Sequence, residues 1–132
     1  MRRHGQMRWR SCALLVATVA VLAGCASLKP AGGTAITDIS LIAGEWAGTI
    51  NPSYQPFYLK ITADRKIAAA WGANYAWGTV TIQNGQATYE MQPPLLEGTI
   101  RLYLDGARPT LTLHDRWASF DAEVHPGASG LP

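Results

Sequence analysis

His114, Asp115 and Arg116 form the densest group of chemically capable side chains in the sequence. An imidazole beside a carboxylate is part of a general-base arrangement, and a catalytic triad also needs a nucleophile within hydrogen-bond reach. No spacing in the chain places one there. The alternation of the flanking residues sends His114 outward and leaves Asp115 and Arg116 in a turn, where they read as solvated charges. His125 stands beside Pro126 with no evident partner. No His, Cys, Asp or Glu spacing matches a metal site. No glycine-rich loop precedes a helix to cradle a nucleotide. The sequence predicts no enzyme, no cofactor and no metal.

The two thiols, Cys12 and Cys25, belong to a different kind of chemistry. Residues 1–10 carry Arg2, Arg3, Arg8 and Arg10, and residues 13–23 are apolar except for Thr18. A hydrocarbon core of about 30 Å needs about 20 apolar residues, so this run is too short to span a bilayer. It fits a signal-peptide core behind a charged front. The run ends in Leu22-Ala23-Gly24-Cys25. These four residues resemble the lipobox of bacterial lipoproteins. The resemblance implies removal of residues 1–24, thioether lipidation of Cys25 and acylation of the new amine. Several acyl chains, at about 0.8 kcal/mol per buried methylene, anchor durably where a single chain does not. The alternative is an ordinary secretory signal that contains a cysteine. By the family's sorting rule, Ala26-Ser27 after the cysteine implies the outer membrane of a Gram-negative envelope, facing the periplasm. Residues 25–39 then read as a lipidated flexible tether, 40–125 as the folded domain and 126–132 as a disordered tail.

The net charge of +2 follows from that organisation. All nine Asp and Glu lie after Cys25, together with seven Lys and Arg, so the mature part carries −2. The basic balance belongs to the targeting segment, and nucleic acid is not an expected partner. The expected partners are the membrane, through the lipid, and an envelope protein, an envelope polymer or an apolar small molecule.

Between residues 40 and 124 apolar side chains recur with period two, which predicts half-buried strands. Eight such segments appear, including Phe57-Leu59-Ile61, Ala87-Tyr89-Met91, Ile100-Leu102-Leu104 and Phe120-Ala122-Val124. Turn chemistry separates them: Asp64-Arg65, Asn84-Gly85, Pro93-Pro94 and Asp105-Gly106. Asn-Gly is the strongest of these, because a type I′ turn needs two positive φ angles. Short connections force antiparallel neighbours, and eight strands close into a small up-and-down barrel without exposed edges. A sandwich or open curved sheet is the alternative. Gly48-Thr49-Ile50, Gly78-Thr79-Val80 and Gly98-Thr99-Ile100 echo one another, and their glycines read as inward positions where a coiled strand bends. Gly44-Glu45-Trp46 is similar to the Gly-X-Trp motif of lipocalins and other calycin barrels, in which the tryptophan plugs one barrel end.

The inward positions read as aliphatic, aromatic or small, with no charge among them. The interior is therefore either packed or a small apolar cavity. In a meander, alternate connections share an end. One end carries tight polar turns. The other carries Tyr54, Pro56, Tyr75, Trp77, Pro93, Pro94, Leu95 and Leu96. Tyr54, Tyr75, Trp77, Leu95 and Leu96 are the candidate binding residues, unless they fold over and cap the core. The expected function is a non-catalytic, membrane-anchored envelope lipoprotein that binds through this aromatic end. The alternative is a lipocalin-like carrier of a small apolar ligand.

Overall fold

Asn84 and Gly85 both take positive φ, 54° and 75°, so the chain reverses in two residues and pairs Gln83 with Gln86. The same economy recurs along the chain. The computed structural model describes residues 33–117 and 121–132. Its strands are β1 (Gly44–Asn51), β2 (Gln55–Ile61), β3 (Lys66–Trp71), β4 (Asn74–Gln83), β5 (Gln86–Gln92), β6 (Leu96–Tyr103), β7 (Thr110–Asp115) and β8 (Asp121–Pro126). Each pairs antiparallel with the next, and β8 pairs with β1, closing the barrel. This is the predicted all-β meander, an architecture compatible with a lipocalin-like barrel. The signal segment, Cys25 and Phe120 lie outside the described residues.

Closure is tightest at the three repeated glycines. A Cβ on Gly48 would stand 1.8 Å from the Glu123 carbonyl oxygen, one on Gly78 1.8 Å from that of Glu90, and one on Gly98 2.0 Å from that of His114. All three face inward. The neighbouring strand crosses so closely there that no side chain fits, which is how a narrow barrel coils its wall.

The inward side chains fill the axis. Phe57, Leu59, Leu102, Leu111 and Val124 are fully buried in one continuous cluster that also includes Trp46, Val80, Met91 and Ile100. An eight-stranded barrel is just wide enough for such filling. Burying each large side chain stabilises by about 1.5–3 kcal/mol. The tryptophan of the Gly-X-Trp motif does lie inside, its Nε1 donating to the Ile42 carbonyl at 3.0 Å.

Two expected mobile segments are structured instead. Residues 33–43 cross one barrel mouth as a strap. Thr34 N donates to Leu102 O, and Ile36 N donates to Gly85 O at 2.8 Å. A single 3-10 turn (Ile39–Leu41) follows, its Asp38 cap accepting from Ser40 N at 2.7 Å. Ile36 and Ile42 are buried. Ile36 corrects the tether boundary at 39, because open-ended strands leave an apolar mouth that the chain covers with its own residues, whereas Ile42 lies within the domain as read from the sequence. The tail is also held. Gly127 N donates to Glu45 O, Ser129 Oγ donates to Glu45 Oε1 at 2.7 Å, and Leu131 N donates to Ser129 Oγ. Pro126 is the last residue of β8 rather than the first of a disordered tail.

Candidate functional site

β3 shows only small side chains, Ala68 and Ala70, on its outer face above Lys66. That leaves room for larger neighbours. In register, Tyr58 of β2 and Tyr75 of β4 flank Ala70, and Lys60 and Trp77 flank Ala68. Tyr75 and Trp77 stack at 5.4 Å between ring centroids. The sequence reading placed both in a connection at the aromatic end. They belong to β4, because Gly72 (φ 55°) lets the chain turn at once and pair Trp71 with Asn74. Their outward parity follows from Ala76, which is buried between them.

The remaining candidates divide. Tyr54 is 74% exposed, and Leu95 is exposed in the β5–β6 connection. Leu96 is 2% exposed and packs in the core as the first residue of β6, so it does not belong to the displayed set. Leu104, read as inward, is exposed beyond the end of β6. Trp117, which the reading of the sequence did not select, is 57% exposed at the same end as Tyr54 and Leu95. Tyr54, Tyr58, Tyr75, Trp77, Leu95 and Trp117 thus form a collar around the barrel half opposite the strap.

Asp115 overturns the expectation of an interior without charge. It ends β7 on the inward face, continuing Leu111 and Leu113, and is 1% exposed. Its Oδ1 accepts from Glu97 N at 3.1 Å and Tyr89 Oη at 3.3 Å, and its Oδ2 accepts from Trp117 N at 3.0 Å. A buried carboxylate is stable when donors converge on it in this way. The Tyr89 phenol is pushed far above its ordinary value, first by burial and then by the Asp115 charge. It is therefore a permanent donor. The pair fixes the β7–β8 corner and with it Trp117, whose indole Nε1 donates to Glu97 Oε2 at 3.1 Å. Parity alone would have revealed Asp115, had the turn not been assigned there.

His114 points the other way. Its Nδ1 lies 2.5 Å from Asp121 Oδ1 on the exposed wall. The expected His114-Asp115-Arg116 cluster is therefore split between two faces of the sheet. His125 has partners after all, Thr110 Oγ1 at 3.1 Å from Nδ1 and Glu123 Oε1 at 3.4 Å from Nε2. Among the described residues no group of three His, Cys, Asp or Glu side chains gathers to hold a metal.

Of the hollows on the outer wall, which include one of about 430 Å³ between Asn51, Arg101 and Asp121, two lie beside the collar. The larger, about 560 Å³, crosses β4 to β7 and is lined by threonines, Glu90, Glu97, His114 and Arg116, with Tyr89 reaching it past Gly98. The smaller, about 200 Å³, lies along β3 between Lys60, Ala68 and Trp77, and Pro132 of the tail borders it.

No family model, curated protein or solved structure matches this chain. The functional reading therefore rests on the collar, the two hollows and the packed axis.

Proposed function

We propose that this protein is a non-catalytic lipoprotein of the bacterial envelope whose barrel is an interaction module working through its aromatic collar. The observation that carries the reading is a contrast: the axis is filled by buried side chains, while six large apolar side chains stay exposed on one half of the outer wall. Exposed aromatic groups of this kind anchor partners. The apolar-carrier reading has less support, because the volume a ligand would need is occupied by Leu59, Leu102, Leu111 and Val124.

The anchoring reading rests on Leu22-Ala23-Gly24-Cys25. The chain enters the barrel at the strap end, so a lipid on Cys25 sets the collar away from the membrane. Cys25→Ser is expected to abolish incorporation of labelled palmitate and leave uncleaved or soluble protein. Equal labelling of the mutant would contradict lipidation.

The binding reading is tested by pull-down from solubilised envelopes. Trp77→Ala is expected to weaken capture by about tenfold or more, the range of an interfacial tryptophan, with little change in melting temperature. Leu104→Ala, equally exposed but at the strap end, should capture as wild type does. Equal capture by Trp77→Ala and wild type would overturn the collar as the binding surface.

A further inference from the structure

We infer that the groove across β4 to β7 binds a neutral, hydroxyl-rich oligosaccharide. This deepens the interaction reading above and rests on it. The groove has two registered rows. Thr79, Glu90 and Glu97 stand side by side on β4, β5 and β6, and Thr81, Thr88, Thr99 and His114 stand below them on β4 to β7. Adjacent strands are about 4.8 Å apart, a repeat close to the length of a pyranose unit. A sugar chain laid across the strands therefore meets a fresh pair of polar side chains at each step.

Those side chains have capacity to spare. The hydroxyls of Thr79, Thr81, Thr88 and Thr99 and the Glu90 carboxylate make no hydrogen bond to another described residue. Glu90 and Glu97 lie directly opposite each other. Like charges in that position are destabilising. The nearest guanidinium nitrogen, Arg116 Nη1, is 3.9 Å from Glu97 Oε2 and offsets only one of them. Two adjacent carboxylates accept well from sugar hydroxyls and repel uronic acids and phosphorylated glycans, which sets the ligand's charge.

Two indoles neighbour the residues that line the groove without lining it themselves, and Trp77 also lines the smaller hollow. Trp77 precedes Thr79 on the outer face of β4, opposite Gln92. Trp117 is fixed at the far side by three contacts: its backbone N–H to Asp115, its indole N–H to Glu97, and the Arg116 guanidinium 4.9 Å from the ring centroid. A 57% exposed indole tied down in this way loses little entropy when a sugar face stacks on it. The buried Tyr89–Asp115 pair thus acts as the support that holds one indole beside the groove.

The test is titration of the barrel domain, residues 26–132, with cellohexaose, maltohexaose and hexa-N-acetylchitohexaose, followed by the indole N–H signals in NMR spectra, with an alginate hexamer as the anionic comparison. Circular dichroism first establishes that the domain and each variant are folded. At least one neutral hexasaccharide is expected to shift the Trp77 and Trp117 signals saturably, and the alginate hexamer to bind at least tenfold more weakly. Trp117→Ala and Glu90→Gln should each weaken binding at least tenfold, whereas Leu41→Ala should not. Glu90→Gln removes a charge that holds no other residue, so its loss of binding is not an effect of folding. Silence of both indoles toward all three neutral sugars, or tighter binding of alginate, would overturn the inference. If capture from envelopes still depends on Trp77 in that case, the collar binds a protein instead and the interaction reading stands alone.

Discussion

Gly78→Val is expected to destabilise the barrel by at least about 3 kcal/mol, the upper range for overpacking a tight interior, and to leave little folded protein at 37 °C. The reason is backbone rather than side chain. The new Cβ would meet the Glu90 carbonyl oxygen at 1.8 Å and the Met91 Cα at 2.9 Å. Neither atom can move without parting β4 from β5, and small domains hold only about 5–15 kcal/mol in total. Gly48 and Gly98 meet the same obstacle against β8 and β7. Gly106→Ala is the comparison: its nearest neighbour would be an Arg108 carbonyl oxygen at 3.5 Å, ordinary contact, and it should change stability by less than about 0.5 kcal/mol. Urea denaturation of the variants measures the difference. Equal stability of Gly78→Val and wild type would mean that the strands do not coil at these glycines.

Asp115→Ala should be nearly as severe, costing about 3–5 kcal/mol. It strands three donors that now converge on one carboxylate, namely Glu97 N–H, Trp117 N–H and the Tyr89 hydroxyl. Each buried unpaired group costs about 1–3 kcal/mol. Tyr89→Phe removes one donor and keeps the ring, so it should cost only about 1–2 kcal/mol. The same pair gives a pH dependence. The Tyr89 pKa is raised above the ordinary 10.0, by burial first and by Asp115 second. Its contribution is therefore complete below pH 10.0, where the unfolded phenol is also neutral, and declines as pH rises past that value. Wild-type stability should fall above about pH 10, and Tyr89→Phe should fall less steeply. Parallel declines in denaturant melts at pH 8 and pH 11 would remove the pair from the account.

The sequence carried the fold in its period-two pattern because nearly every strand buries one face and exposes the other. Asn84-Gly85 could be read as a turn because its backbone chemistry is local. The misreadings share a cause. Each depended on where an element ends, and a boundary shifted by a residue or two changes what a side chain does. Placing the turn at Asp115 hid a buried carboxylate. Starting β4 after Trp77 turned two wall residues into loop residues, and starting β6 after Leu96 put a core leucine on the surface. The strap escaped notice because Ile36 and Ile39 sit among small polar residues with no period-two signal. Their burial comes from closing a barrel mouth, a tertiary event.

The candidate site was legible in part. Tyr54, Tyr75, Trp77 and Leu95 are exposed rather than folded over the core, and all lie on the half opposite the strap. Trp117 and the Glu90–Glu97 pair were not found, because their importance arises from cross-strand register and from contacts between residues about 20 apart in sequence. A pattern along the chain marks which face a residue takes. It does not show which residues meet across the sheet.

The decisive measurement is a titration of the barrel domain, residues 26–132, with a fluorescent fatty acid, because it separates recognition by the outer wall from storage within. A filled axis predicts no saturable one-to-one binding, and no change when Ala87, a buried inward residue, is enlarged to Leu in a variant that still folds. Saturable stoichiometric binding that Ala87→Leu abolishes would show an interior cavity in use and contradict the account.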